Sequence, residues 1–120
     1  QTAMLCLEHL SYHEYEGVAL NLDERERLIR DLGSKSMMIL RNHGILTVGR
    51  DVPETFTYLY FLMKACEIQV KAQSCGPVYM PTQQAIDTTA DQSGSLGKAA
   101  KLTWPALLRL LDARSPGYNV

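Results

Sequence analysis

The sequence predicts an α/β fold, because patterns typical of helices and strands alternate along its 120 residues. Residues 21–33 have a helical pattern, residues 37–40 and 45–48 are short apolar segments, and a long helical pattern starts at residue 52. Hydrophobic residues make up 46% of the chain and charged residues 21%, which is typical of globular proteins and argues against disorder. We therefore expect one domain with a packed core.

The first helix is predicted from its capping residues and from the spacing of its leucines. Asn21 and Glu24 have the spacing of a capping box. Leu28 and Leu32 repeat at i, i+4, and Gly33 stands where a helix ends. The other positions are mostly charged, and we expect them to form a face in contact with solvent.

A turn that contains a histidine separates the two predicted strands. Its residues are Arg41, Asn42, His43 and Gly44. A buried core does not require a histidine there, and the glycine lets a ligand come close to the backbone. An imidazole at a strand end can bind a metal ion when a hydrogen bond orients its other nitrogen. The alternative is a turn histidine that only satisfies backbone groups.

The long helix has the clearest start in the sequence. Asp51 is a capping acid, Pro53 lies in the first turn, and Glu54 completes a capping box. Gly76 and Pro77 predict its end. Apolar side chains at spacings of three or four predict one stripe that faces the core: Phe56, Leu59, Tyr60, Met63, Cys66 and Val70.

The remainder of the chain divides into a polar stretch and a short helix. Residues 77–102 are rich in polar side chains and glycine without a hydrophobic period, which predicts a loop or linker. Residues 103–120 predict a C-terminal helix and tail, with Thr103 as its cap and Pro105 in its first turn. The predicted docking stripe of this helix consists of Leu107, Leu108 and Leu111.

Charge and cysteine content limit the partners and the location. The 12 basic and 13 acidic side chains give a net charge of −1, so we expect no nucleic-acid partner. No apolar run approaches the about 20 residues that span a bilayer, so we expect no membrane partner either. Three cysteines without a C-x-x-C pair predict free thiols in a reducing compartment, and hence a cytoplasmic protein.

Two further histidines, His9 and His13, form a weaker candidate pair. Their i, i+4 spacing would place both rings on one face of a helix, with carboxylates nearby at Glu8, Glu14 and Glu16. The aromatic run around them favours an extended segment instead, and a zinc site needs three or four protein ligands. The sequence also contains neither a glycine-rich phosphate loop nor a nucleophile elbow.

Four segments together resemble the class II aldolase/adducin family in order and spacing. The resemblance covers about residues 1–76, and the ending Trp104-Pro105-Ala106-Leu107-Leu108-Arg109 is similar to that of bacterial members with no assigned substrate. Adducin heads share the Arg-Asn-His-Gly stretch of the third segment and the Ala-Cys-Glu-Ile-Gln stretch of the fourth. In order, the four segments are Tyr12-His13-Glu14-Tyr15-Glu16-Gly17, Leu32-Gly33, Leu40-Arg41-Asn42-His43-Gly44-Ile45-Leu46-Thr47-Val48-Gly49, and Ala65-Cys66-Glu67-Ile68-Gln69.

This resemblance implies a fold, a cofactor and two site residues. The fold is a three-layer α/β/α domain with a mostly antiparallel central sheet, incomplete in this chain. The cofactor is a divalent metal, zinc in our prediction, and His43 matches the family's third metal-binding histidine. Family enzymes form homo-oligomers, and a C-terminal tyrosine from a neighbouring subunit assists proton transfer in some of them, a role that Tyr118 could take.

The departure from the family pattern leaves two functions open. The family's other two metal histidines form an H-x-H pair upstream, and this chain contains no H-x-H. We therefore interpret residues 1–76 as the C-terminal part of the family domain. The first function is retro-aldol cleavage or epimerisation of a small sugar phosphate or related hydroxy-carbonyl compound by the parent protein. The alternative is a non-catalytic, adducin-like protein-interaction or oligomerisation module.

Overall fold

A computed structural model of the chain describes residues 1–18, 20 and 22–118. No helix within these residues is both long enough and apolar enough to cross a membrane. The elements in chain order are α1 (Thr2–Leu7), β1 (Leu10–His13), α2 (Glu24–Leu32), β2 (Met37–Leu40), β3 (Gly44–Thr47), α3 (Val52–Ser74), α4 (Gln83–Ser93) and α5 (Leu96–Arg114).

The three strands form one mixed sheet in the order β1-β2-β3. Strand β1 runs parallel to β2, and β3 runs antiparallel to it, so the described sheet has one pair of each kind. Leu10 and Met37 pack with α1 and α3, whereas His13, at an odd offset from Leu10, contacts α2. The sheet therefore lies between helices on both faces, and the predicted α/β class is confirmed.

Local signals placed α3 and the β2–β3 hairpin correctly. The Asp51 side chain accepts a hydrogen bond from the Glu54 backbone N–H at 2.9 Å, which confirms the predicted cap. Helix α3 ends at Ser74, just before Gly76. At the start of α2, the cap assigned to Asn21 lies outside the described residues, and Asp23 occupies the N-cap position.

The face of α3 that meets the core differs from the predicted stripe. Phe56, Tyr60, Met63 and Val70 are exposed, and Leu59 and Cys66 are half-buried, so the prediction of one core stripe was wrong. The helix carries apolar side chains on more than one face, and spacing alone does not show which face meets the sheet. The buried residues of α3 are Glu54, Thr57, Tyr58, Leu62 and Ala65.

The polar stretch at residues 77–102 contains helix where a loop or linker was predicted. The Thr82 hydroxyl caps α4 by accepting a hydrogen bond from the Ala85 N–H at 3.3 Å. Within α4, the hydroxyls of Thr88 and Thr89 donate to the carbonyl oxygens four residues earlier, at 2.8 and 2.7 Å. These bonds satisfy the hydroxyls within the helix. Ile86, Ala90 and Ser93, at helical spacing, are half-buried or buried, and α4 packs against α1, so tertiary packing supports this helix.

Helix α5 starts seven residues before the predicted cap. Thr103 lies inside the helix, where its hydroxyl donates to the Ala99 carbonyl at 3.1 Å, and Pro105 is also internal. The first turns bury Leu96, Gly97 and Ala100, and because two of these three are small, the sequence shows no apolar stripe there. Gly97 lies so close to Glu54 of α3 that an added Cβ would collide with its carboxylate, so close packing of the two helices requires glycine here.

All three cysteines are free thiols, but only Cys6 is fully buried. Burial, with a smaller contribution from the neighbouring Cys66, raises the pKa of the Cys6 thiol to about 11. Cys6 is therefore protonated at neutral pH and acts as a small core residue, not as a nucleophile.

A buried carboxylate ties the start of α3 to the chain that leaves β3. Glu54 is only 5% exposed, and its Oε2 accepts a hydrogen bond from the Arg50 backbone N–H at 2.7 Å. The Arg50 guanidinium donates to Oε1 at 2.8 Å, and the Tyr58 hydroxyl donates to the same oxygen at 3.3 Å. These bonds, those from Arg50 foremost, lower the pKa of Glu54 to about 2.

We expect Leu62→Ala to destabilise the protein far more than Met63→Ala. Leu62 is 1% exposed and its truncation leaves a cavity, which costs about 2–5 kcal/mol, whereas Met63 is 56% exposed. Urea unfolding followed by circular dichroism measures both changes. An equal loss of unfolding free energy in the two variants would show that α3 turns its predicted stripe to the core after all.

We expect the unfolding free energy to fall as the pH drops from about 4.5 towards about 2, in part through Glu54. Its pKa is about 2 in the folded chain and 4.5 without these partners. Its stabilisation is therefore complete above pH 4.5 and is lost between pH 4.5 and about 2, where the unfolded chain binds the proton more readily than the folded chain. Glu54→Gln should flatten this acid slope in urea unfolding measured across pH. A slope unchanged by the substitution would contradict the assignment.

Candidate functional site

The only histidine buried among the described residues, His13, lies at the end of β1 and faces α2. Its side chain is 4% exposed, and its Nδ1 lies 2.8 Å from Oδ2 of Asp31. An ionised carboxylate can only accept a hydrogen bond, so Nδ1 carries the proton and donates it to Asp31. The orientation of the ring is thereby fixed.

The other ring nitrogen of His13 points to two glutamates. Nε2 lies 3.5 Å from Oε1 of Glu24 and 3.8 Å from Oε1 of Glu16. It is buried and has no hydrogen-bond partner among the residues that the structure describes. One ligand atom from each of the three side chains lies within 4.8 Å of the other two. A histidine nitrogen with two carboxylates is a donor set that suits a divalent metal ion.

Charged neighbours keep the carboxylates of this cluster ionised. The Arg27 guanidinium donates two hydrogen bonds to Glu16, from Nε to Oε1 at 2.7 Å and from Nη2 to Oε2. These hydrogen bonds lower the pKa of Glu16. The hydrogen bond from His13 lowers the pKa of Asp31, with a second contribution from Arg30. Anionic ligands are therefore present at neutral pH without any metal.

A small cavity of about 70 Å³ joins this cluster to the β2–β3 turn. His13 and Glu24 line one part of it, and Arg41 and His43 line another. The register explains this arrangement, because His13 lies opposite Leu40, the last residue before the turn. His43 itself is exposed, and its backbone N–H donates to the Leu40 carbonyl at 3.1 Å.

The structure brings some of the candidate residues together and keeps others apart. His43 and His13 line the same cavity. His9 is not part of its lining, and its half-buried ring stacks on Tyr58 with the centroids 5.7 Å apart. Tyr118 is not part of the lining either, and it lies after the end of α5. Burial and then the charge of Asp112 raise the pKa of Tyr118.

The acidic partners of His13 were missed because α2 was expected to present a solvated charged face. Glu24 and Asp31 are seven residues apart, so they lie on the same side of a helix, and this side faces β1. That spacing was a usable signal, but it could not show that a strand histidine would lie opposite.

Comparisons with known proteins agree with this fold. Residues 1–70 match the sequence family described as Class II Aldolase and Adducin N-terminal domain. A solved structure of an aldolase II superfamily protein from Pseudomonas syringae has a TM-score of 0.90 and 40% sequence identity, covering 98% of this chain and 49% of that one. L-fuculose 1-phosphate aldolase from Glaciozyma antarctica PI12 shares the fold, with a TM-score of 0.71 at 20% identity, over 94% of this chain and 44% of that one.

Sequence relatives include both aldolase-named proteins and adducins. A protein of Caulobacter vibrioides, whose name places it among the class 2 aldolases and gives no substrate, is 46% identical over 98% of this chain and 47% of its own length. Alpha-adducin of Rattus norvegicus is 37% identical over 90% of this chain and 17% of its own length. The chain thus spans about half the length of the class 2 relative. By its fold, its motifs and these similarities, the chain belongs to the class II aldolase/adducin family.

Proposed function

We propose that this chain is part of a metal-dependent class II aldolase whose parent protein cleaves or epimerises a small sugar phosphate or related hydroxy-carbonyl compound. The observation that carries the proposal is the position of His43, exposed on the β2–β3 turn beside a small cavity in a chain of this family. The L-fuculose 1-phosphate aldolase that shares the fold supports a phosphorylated sugar as the substrate class.

His43 fits the role of a metal ligand. A neutral imidazole binds divalent ions, zinc in particular, and the exposed ring of His43 leaves its nitrogens accessible. One histidine does not make a site, so in this proposal the remaining ligands come from elsewhere in the parent protein. When bound, the metal supplies Lewis acidity, which polarises the carbonyl of the substrate and stabilises negative charge next to it.

Two other side chains have roles in the proposal. Arg41 lines the cavity beside His43, and its guanidinium, now 2.7 Å from Glu14, can bind an anionic substrate group. Tyr118 transfers a proton. Its raised pKa keeps the phenol protonated at neutral pH, as a proton donor requires. Because Tyr118 does not line the cavity, we propose that it acts in the site of a neighbouring subunit of a homo-oligomer.

We expect His43→Ala in the parent protein to remove one equivalent of zinc per chain and the aldolase activity, while the fold is retained. Elemental analysis measures the metal, circular dichroism the fold, and cleavage of a panel of ketose 1-phosphates that includes L-fuculose 1-phosphate the activity. Tyr15→Phe is the control, since Tyr15 lines the same cavity, is 52% exposed and has no assigned role. An unchanged zinc content in His43→Ala would rule out His43 as a ligand.

We expect Tyr118→Phe to lower kcat by about 10²–10⁴-fold, which is the usual contribution of a positioned proton donor, and to leave the zinc content unchanged. Tyr79→Phe is the control, because Tyr79 is 88% exposed and has no proposed role. Equal activity in the two variants would remove Tyr118 from the mechanism.

A second candidate function is an adducin-like, non-catalytic module for protein interaction or oligomerisation. It is favoured by the similarity to alpha-adducin and by the exposed apolar residues of α3, Phe56, Tyr60, Met63 and Val70. The zinc that depends on His43 separates the two functions. A parent protein without His43-dependent zinc or activity that still self-associates in sedimentation experiments would support the module.

A further inference from the structure

We propose that His13, Glu16 and Glu24 bind a divalent cation of their own, distinct from the metal assigned to His43. The cluster uses no residue that the proposed aldolase reaction requires. It is built by β1, the segment that follows β1, and the first turn of α2. The ligand class is a zinc-like ion that accepts one histidine nitrogen and carboxylate oxygens.

The spacing of the donor atoms suits a tetrahedral ion. Zinc lies about 2.0–2.2 Å from nitrogen and oxygen ligands, so neighbouring ligands of a tetrahedron are about 3.3–3.6 Å apart. In the structure, Nε2 of His13 lies 3.5 Å from Glu24 Oε1 and 3.8 Å from Glu16 Oε1. All three donor atoms lie within 4.8 Å of one another, so rotation of the glutamate side chains would bring them to this geometry.

The buried, unpartnered Nε2 of His13 is a second observation, besides the spacing of the donor atoms, that supports a cation site. Buried polar atoms in folded proteins nearly always have a partner, yet Nε2 of this 4%-exposed side chain has none among the described residues. Asp31 holds the proton on Nδ1, so the lone pair of the neutral ring is on Nε2 and points to the two glutamates. Metal-binding histidines commonly donate the N–H of their other ring nitrogen to a carboxylate in this way.

The charges and the space around the cluster agree with a cation. Three carboxylates, those of Glu16, Glu24 and Asp31, face two guanidinium groups, Arg27 on Glu16 and Arg30 on Asp31, which leaves an excess of negative charge. The adjoining cavity of about 70 Å³ exceeds the about 10–15 Å³ that one water requires, so a water can complete the coordination.

The test is zinc binding to the intact protein in the His43→Ala background, which removes the site assigned to the aldolase reaction. Isothermal titration with Zn²⁺ should show one site per chain. Asp31→Asn, which alters the group that orients His13, should weaken zinc binding by about 10–100-fold. Glu24→Gln, which alters a ligand, should weaken zinc binding by more than this. Glu26→Gln is the matched control, because it removes the same charge from an exposed position of α2 that is outside the cluster.

Thermal unfolding with and without zinc provides a readout that does not depend on activity. Zinc should raise the Tm of the protein with Glu26→Gln but not of the protein with Glu24→Gln, because only the former retains the ligands. Since Glu24 is half-buried, Glu24→Gln is preferred to a His13 variant that could fail to fold.

Two results would overturn the proposal. The first is no zinc binding by the folded His43→Ala protein, which would identify the cluster as an ion-pair network. The second is equal zinc affinity in the Glu24→Gln and Glu26→Gln variants. Both results are obtained in protein that lacks the His43 side chain. The failure of this site and the failure of the proposed aldolase function are therefore separate observations.

Discussion

The central strand β2 is the element on which the rest of this structure depends. Its first two residues, Met37 and Met38, have no exposed surface, and because neighbouring strand residues point to opposite faces, they fill the core on both sides of the sheet. Strand β2 also sets the register of both neighbours, with Leu40 opposite His13 on one side and Gly44 on the other. The packing of two methionines thus determines that His13 and the His43 turn meet at one end of the sheet.

What the sequence predicted well depends on local interactions. The Asp51 cap and the β2–β3 hairpin involve residues a few positions apart, so their signals are complete within the segment. Residues 83–93 show the opposite case, because their polar composition resembles a loop while packing against α1, distant in the sequence, supports a helix. The buried face of α3 was also beyond the sequence, since Leu62 and Met63 are equally apolar and only contact with the sheet distinguishes them.

The candidate site divides in the same way. His43 could be singled out because its motif is contiguous, with the turn and both strands within residues 37–47. The cluster around His13 could not, because its members come from β1 and α2, and charged residues on a helix are usually solvated. The pairing of Asp31 with a strand residue is a property of tertiary structure, and the single sequence contains only the seven-residue spacing of Glu24 and Asp31.

The two histidines at this end of the sheet differ in how they are prepared for a ligand. His13 is buried, its proton is fixed by Asp31, and two carboxylates lie within 4 Å of its free nitrogen, so little reorganisation would precede binding. His43 is exposed, and in our proposal it depends on ligands from elsewhere in the parent protein. A cation bound by His13 would join α2 to β1 beside the turn, and so would stiffen the wall of the cavity that His43 shares. On this argument the His13 cluster supports the cavity whether the parent protein acts as an enzyme or as an interaction module.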